Sequence, residues 1–308
     1  MSTTAFVFPG QGSQAVGMLS ELADASSVVK ETFQEASDAL GFDLWNMVAE
    51  GPAEDLNRTD NTQPALLTAS VAIWRHFLQA GGSKPSVLAG HSLGEYSALT
   101  CAGVLNFSDA VRLVQARGEY MQAAVPEGVG AMAAIIGLDD DKVKQACADA
   151  ANGEIVSAVN FNSPGQVVIA GHAEAVARAG AAAKELGAKR ALPLPVSVPS
   201  HCSLMAPAAE QLKADLEALV VNTPEIDVIN NVDVAITANA NDIKDALVRQ
   251  LYCPVRWTES VQKMASMGVT QLVECGPGKV LTGLTKRIDK SLSGLAINTP
   301  ESVTSLIG

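Results

Sequence analysis

Cysteine is sparse in this chain and falls without pattern. Cys101, Cys147, Cys202, Cys253 and Cys275 form no C-x-x-C pair, and five is an odd number. No disulfide framework fits them, so a reducing compartment is the expected setting. Long apolar runs are also missing. Nowhere do about 18 apolar residues follow one another, so no membrane-spanning helix is expected. The first residues, MSTTAFVFPGQG, have neither the basic start nor the apolar middle of an export signal. The expectation is a soluble, cytoplasmic protein. Basic residues are outnumbered: 21 Lys and Arg stand against 33 Asp and Glu, a net charge of −12. Nucleic acid and anionic lipid would need a basic face, so neither is an expected partner. What the chain does have is apolar residues, 48% of its 308 positions, enough to bury a sizeable core.

Periodicity organises that core. Phe6-Val7-Phe8 is a short apolar run stopped by Pro9-Gly10, which reads as a buried strand entering a turn. Helical spacing follows over residues 26–40 and 62–80, with Pro64 suited to a first helical turn. Residues 86–90 read as a strand, 94–105 as a helix behind it, and 107–125 as a further helix capped by Ser108. The pattern changes near Pro126. From there the order is β-α-β-β-α-β, ending in a strand over 190–197, which is the split βαβ of a ferredoxin-like unit. The Ala-rich stretch 173–188 inside it reads as a closely packed helix. After Pro199 the longer helices resume, followed by a strand over 269–275, a final helix over 279–289 and an edge strand over 294–298. The expected fold is α/β: a hydrolase-like parallel-sheet core made of residues 1–125 and 198–308, carrying a small inserted subdomain at 126–197.

One serine stands out. Residues 90–94, GHSLG, match G-x-S-x-G, with a strand pattern before and a helix pattern after. That is the setting of a nucleophile elbow, which lifts a serine hydroxyl to the top of a sheet. The alternative is that Gly90 and Gly94 only let a strand turn sharply into a helix, with Ser92 as its cap.

A catalytic serine needs a base, and only four histidines are present. His76 lies in an amphipathic helix and His172 by a turn of the insertion. His91 adjoins Ser92, so its side chain should leave the turn in another direction. His201 follows VSVPS, where the chain re-enters the large domain, and is expected in the cleft between the two parts. It could equally be a structural histidine. A hydrolase would also place an acid between serine and histidine in chain order, but Asp109, Asp139–Asp141 and Asp149 sit at helix starts or in helices. The orienting group stays unassigned on these grounds.

Two further positions matter. FVFPGQGSQ makes a second glycine-rich turn after a strand, and parallel strands deliver such loops to one sheet edge. The backbone N–H groups of Gln11 and Leu93 could there form an oxyanion hole; the alternative is a plain turn. Arg117 shares an apolar helical stripe with Leu113, Val114 and Met121, so its guanidinium points inward and wants a carboxylate. The carboxylate could belong to the protein or to a substrate.

Taken together, FPGQGSQ at 8–14, TQPAL at 62–66, GHSLGEY at 90–96, QARGEYMQ at 115–122, VPSH at 198–201 and ECGPGKVL at 274–281 strongly resemble the malonyl-CoA:acyl carrier protein transacylases of bacterial type II fatty acid synthesis. More distantly they resemble the acyltransferase domains of polyketide synthases. The resemblance implies transfer of malonyl from malonyl-CoA to the phosphopantetheine thiol of holo acyl carrier protein through an acyl-Ser92, with no cofactor or metal. It implies His201 as general base and acid, Arg117 as the binder of the malonyl carboxylate, and the Gln11 and Leu93 amides as oxyanion donors. It also implies that the Gln250 backbone carbonyl orients the histidine in place of an acid. An aliphatic Leu93 goes with malonyl rather than methylmalonyl selection. Cys275 is the one mild oddity, where an aliphatic residue would be expected.

Acyl carrier proteins are acidic, so a chain at −12 needs a local basic surface to dock one. Lys286 and Arg287 on the C-terminal helix and Lys189 and Arg190 in the insertion are the candidates. A serine esterase or thioesterase, and a non-catalytic subunit of a synthase, remain as alternative readings.

Overall fold

The apolar run at residues 4–8 becomes the middle strand of a parallel sheet in the computed structural model, which describes residues 3–196 and 198–308. The strands among those residues are β1 (Thr4–Phe8), β2 (Val87–Gly90), β3 (Gly130–Ile136), β4 (Val156–Ser163), β5 (Gln166–His172), β6 (Arg190–Pro193), β7 (Asp227–Ile229), β8 (Gln271–Glu274) and β9 (Ser293–Ala296). The first sheet runs β7-β2-β1-β8-β9, with every pairing parallel. A parallel sheet covered on both faces needs apolar side chains on both. On one face of β1, Phe6 and Phe8 join a cluster with Leu66 and Ile73, and Phe6 meets Trp74 edge-on at 5.5 Å. On the other face Ala5 and Val7 pack with Trp257, Val261 and Met264.

The second sheet runs β4-β5-β3-β6, all antiparallel, with the helices Asp140–Ala150 and Ala173–Glu185 between its strands in chain order. That is the β-α-β-β-α-β order expected of the insertion, and the fold is the α/β core with a small antiparallel sheet. Ala175, Ala179 and Ala183 recur at one-turn spacing and are fully buried, which lets the Ala-rich helix lie close on its sheet. The expected end of the insertion at Ser197 falls outside the described residues.

Several local expectations need correction. The helix carrying Pro64 is Thr59–Gln79, so the proline lies in its interior rather than its first turn. Asn61 Nδ2 donates to Asp55 O at 2.9 Å and Thr62 Oγ1 to Leu56 O at 2.5 Å, and these side chains anchor the start of the helix upstream. Asn106, not Ser108, caps the helix Phe107–Ala124: its Oδ1 accepts from the N–H groups of Ser108 and Asp109 at 3.1 and 3.4 Å. The strand expected over 190–197 is the shorter β6. Three-residue β7 is too short for periodicity to reveal. The helix Val280–Ile288 is followed by another, Pro300–Ile307, which starts from a capping box between Thr299 and Ser302.

One register relation positions the site. β1 and β2 pair with Phe8 opposite Gly90, so the turns that leave their C-terminal ends stand side by side. His91 N–H then donates to Phe8 O at 2.9 Å and locks the two turns together.

Candidate active site

Ser92 stands between β2 and the helix Leu93–Cys101 with φ 52° and ψ −111°, a backbone conformation that a residue with a side chain adopts only under strain. Two glycines make the turn possible. A Cβ on Gly90 would overlap the backbone of Gly94, and one on Gly94 would overlap the carbonyl of Phe8. Asn231, in the loop after β7, holds the turn from behind. Its Oδ1 accepts from Ser92 N–H at 2.7 Å and its Nδ2 donates to Gly90 O at 2.6 Å. Ser92 makes no side-chain capping bond to the helix it precedes.

The serine hydroxyl meets His201 instead, with Oγ and Nε2 2.8 Å apart. The other ring nitrogen, Nδ1, lies 2.7 Å from the backbone oxygen of Gln250. A carbonyl oxygen can only accept, so Nδ1 carries the proton and Nε2 of the neutral ring is left as acceptor for the serine O–H. Burial pushes the imidazole down to about 3, aided by the positive charge of Arg117 and by His91 and opposed by the Gln250 carbonyl. His201 is thereby neutral at ordinary pH, the form a base must have.

None of the other three histidines is hydrogen-bonded to Ser92 Oγ among the described residues. His172 Nδ1 accepts from Ile155 N–H at 2.9 Å, a structural bond. His76 is on the helix Thr59–Gln79. His91 borders the same cleft as Ser92 but bonds elsewhere, with Nε2 2.8 Å from Asn162 Oδ1 and its ring edge-on to Trp257 at 5.6 Å.

Arg117 is 1% exposed, yet no ion pair holds it among the described residues. Its partners are amides: Nη1 donates to Gln63 Oε1 at 2.7 Å and Nη2 to Gln250 Oε1 at 3.0 Å, and the buried Nε has no partner. The guanidinium therefore keeps donors to spare for a carboxylate brought from outside. Burial lowers its pKa, against the opposing influence of Tyr96 and Glu95.

Ser92, His201, Arg117, Gln63 and Gln11 line one cleft of about 250 Å³. Leu93 borders it as well, and among the described residues neither the Gln11 nor the Leu93 amide donates to a protein acceptor. Met132, Asn160 and Gln166 reach the cleft from the second sheet, and Val280, Leu281 and Leu284 from the helix that carries Lys286 and Arg287. The four expected docking residues, Lys286, Arg287, Lys189 and Arg190, are exposed, and none is in an ion pair among the described residues. A larger hollow of about 750 Å³ lies between the helix Asp140–Ala150, β4 and the helix Trp257–Ser266, away from the serine and histidine.

Sequence reasoning passed over four residues of this network. Gln63 lies in TQPAL and Glu95 in GHSLGEY, so their motifs carried them unremarked. Glu95 is the buried acid behind the site: its Oε2 accepts from Gln250 Nε2 at 2.7 Å and from Asn231 N–H at 3.1 Å. Asn231 and Asn162 reach the elbow only through the fold, and no local pattern marks them.

Known proteins resemble this chain over its whole length. The acyl transferase domain family matches residues 5–306. The malonyl CoA-acyl carrier protein transacylase of Escherichia coli strain K12 is 63% identical over 307 residues, covering 100% of this chain and 99% of the relative. The crystal structure of an acyl carrier protein S-malonyltransferase from Vibrio cholerae superposes with a TM-score of 0.97 at 64% identity, covering 99% of this chain and 100% of that one. A malonyl-transacylase solved in complex with its holo type II PKS acyl-carrier protein superposes with a TM-score of 0.99 at 61% identity, covering 99% of each chain. This chain belongs to the acyl transferase family and, within it, to the malonyl CoA-acyl carrier protein transacylases.

Proposed function

We propose that the chain transfers malonyl from malonyl-CoA to the phosphopantetheine thiol of holo acyl carrier protein in two successive exchanges through malonyl-Ser92, supplying malonyl units for fatty acid synthesis. The observation that carries this reading is the 2.8 Å contact of Ser92 Oγ with His201 Nε2 in a cleft that also holds an acid-free Arg117. In the first exchange Ser92 gives its proton to His201 Nε2 as Oγ bonds to the thioester carbon. The oxyanion that forms is received by the Gln11 and Leu93 amides. The C–S bond then breaks, and the coenzyme A sulfur takes the proton from His201. In the second exchange the carrier thiol gives its proton to His201 and attacks the acyl-serine, and Ser92 Oγ leaves with that proton. Gln250 O holds His201 throughout. One thioester is exchanged for another of similar energy, so the chemistry needs no other energy source.

Arg117 binds the malonyl carboxylate in this reading, and that separates it from an esterase of neutral acyl groups. Residues 126–197 act as a small subdomain that walls the cleft opposite Ser92 and His201. The partner is supported by the relative solved with its carrier protein. Lys286 and Arg287, with Lys189 and Arg190, form the basic surface near the cleft mouth that receives an acidic carrier. The five cysteines are all free, which fits a cytoplasmic enzyme.

Intact-protein mass after brief mixing with malonyl-CoA tests the reading. A malonyl adduct in the parent and none in Ser92→Ala, discharged faster by holo carrier protein than by water, is the expected result. An adduct lost to water regardless of carrier would make the protein a thioesterase.

A further inference from the structure

The Gln250 side chain joins two buried charges. Its Nε2 donates to Glu95 Oε2 at 2.7 Å, and its Oε1 accepts from Arg117 Nη2 at 3.0 Å. Glu95 and Arg117 are 2% and 1% exposed. Among the described residues neither forms an ion pair, so one carboxylate and one guanidinium balance each other across a single amide. Both donors to Glu95 are on Oε2, which leaves Oε1 with no hydrogen-bond partner among the described residues.

A substrate carboxylate at Arg117 would place two negative charges against one positive around buried side chains, and an uncompensated buried charge is costly. The other ionisable groups nearby cannot absorb the excess. His201 has Nδ1 bonded to Gln250 O, and burial pushes its imidazole down to about 3, so it does not take up a proton from solvent near neutral pH. Asp233 is held by both ends of Arg249 at 2.9 and 2.7 Å. Tyr96 is buried and His91 half-buried, and both enter as neutral groups: desolvation pushes the phenol up to about 12 and pushes the imidazole pKa down. The free Oε1 of Glu95 remains.

We propose that Glu95 takes up one proton from solvent when the carboxylate of an acyl group engages Arg117, making it the positioning residue that keeps the site neutral for malonyl. The step adds a proton to Oε1 and changes no other bond; Arg117, Glu95 and the substrate carboxylate then sum to zero charge. The proposal rests on the reading of Arg117 as the carboxylate binder. Burial pushes the Glu95 carboxyl up to about 7, against the Gln250 and Asn231 hydrogen bonds and the charge of Arg117, so the proton is available near neutral pH.

Calorimetry of malonyl-CoA binding to Ser92→Ala, in buffers of differing ionisation enthalpy, counts the proton. Acetyl-CoA serves as the reference that cancels changes in the coenzyme. The expected excess uptake with malonyl-CoA is about 0.9 proton per site at pH 8 and about 0.1 at pH 6, and near zero at both in Ser92→Ala/Glu95→Gln. Tighter binding of malonyl-CoA than acetyl-CoA without excess uptake, or uptake that survives Glu95→Gln, would overturn the proposal while leaving the Arg117 reading intact. Equal binding of the two thioesters would overturn both. In turnover, the KM for malonyl-CoA should rise about tenfold from pH 6 to pH 8 in the parent and stay level in Glu95→Gln. A role confined to structure would leave the slope of that profile unchanged.

Discussion

His201 Nδ1 lies 2.7 Å from the backbone oxygen of Gln250, so the ring is oriented by a neutral carbonyl where a hydrolase would use a carboxylate. Gln250 is the last residue of the helix Ala240–Gln250, and its carbonyl belongs to the partially negative end of that helix. This acceptor sets the tautomer and the ring plane, yet it offers less to the charged imidazolium than a full negative charge. Burial therefore prevails, and His201 stays neutral far below its usual range.

The pH dependence of acylation should show that. An ordinary histidine would lose about tenfold of its base form at one pH unit below 6.5. With His201 held near 3, the single-turnover rate at saturating malonyl-CoA should change by no more than about twofold between pH 7.5 and 5.5, measured by rapid quench and intact mass. Stability carries the opposite cost. The unfolded chain protonates this histidine below pH 6.5 and the native chain does not, so its contribution is intact above 6.5 and is lost as pH falls toward 3. His201→Gln should flatten part of the fall in Tm over that range.

His201→Ala should lower the acylation rate by about 10²–10⁴-fold with little change in malonyl-CoA binding, because in the proposed mechanism the ring acts on the proton and not on the carboxylate. Rapid-quench rates and Kd values from titration calorimetry separate the two effects.

Arg117→Ala removes the one buried cation of the cleft among the described residues. Transfer from malonyl-CoA should fall by about 10²–10³-fold in kcat/KM, the scale of losing a buried charged hydrogen-bond partner. Transfer from acetyl-CoA should fall far less, and a parallel fall with both substrates would show that the variant had disrupted the cleft itself.

Glu95→Gln should also change the stability profile. The Glu95 carboxyl titrates at about 7 in the fold against an ordinary 4.5, so the contribution it makes below 4.5 is lost as pH rises through 7. The difference in Tm between variant and parent should be more favourable to the variant at pH 8 than at pH 5, as differential scanning fluorimetry would report.

Lys286→Glu/Arg287→Glu should raise the KM for carrier protein by about tenfold at low salt, with the effect shrinking as ionic strength rises. The KM for malonyl-CoA should stay within about twofold, and equal effects on both would argue against docking at this helix.

Much of this was legible in local pattern. Phe6–Phe8, GHSLG and the switch to β-α-β-β-α-β after Pro126 each carry their signal within a few residues, because strand and helix periods and glycine turns are local properties. The inward face of Arg117 was legible for the same reason. Where expectations missed, as at Pro64, Ser108 and β7, the deciding contacts were side chains from the neighbouring turn or a strand too short to show a period.

Sequence alone thus determined most of the elements, the serine turn and the inward arginine. The tertiary structure decided which residues they would meet. Ser92 and His201 are 109 positions apart, and Arg117 and Gln250 are 133 apart. Only the pairing of parallel strands and the return of the chain after the second sheet bring them within hydrogen-bond reach. The acid absent from the sequence pattern has its counterpart there: the carbonyl at a helix end lies 2.7 Å from His201 Nδ1, and Glu95 lies behind it, joined to Arg117 through the Gln250 amide. Contacts between distant segments depend on burial and packing summed over the whole chain, and no window of sequence contains that sum.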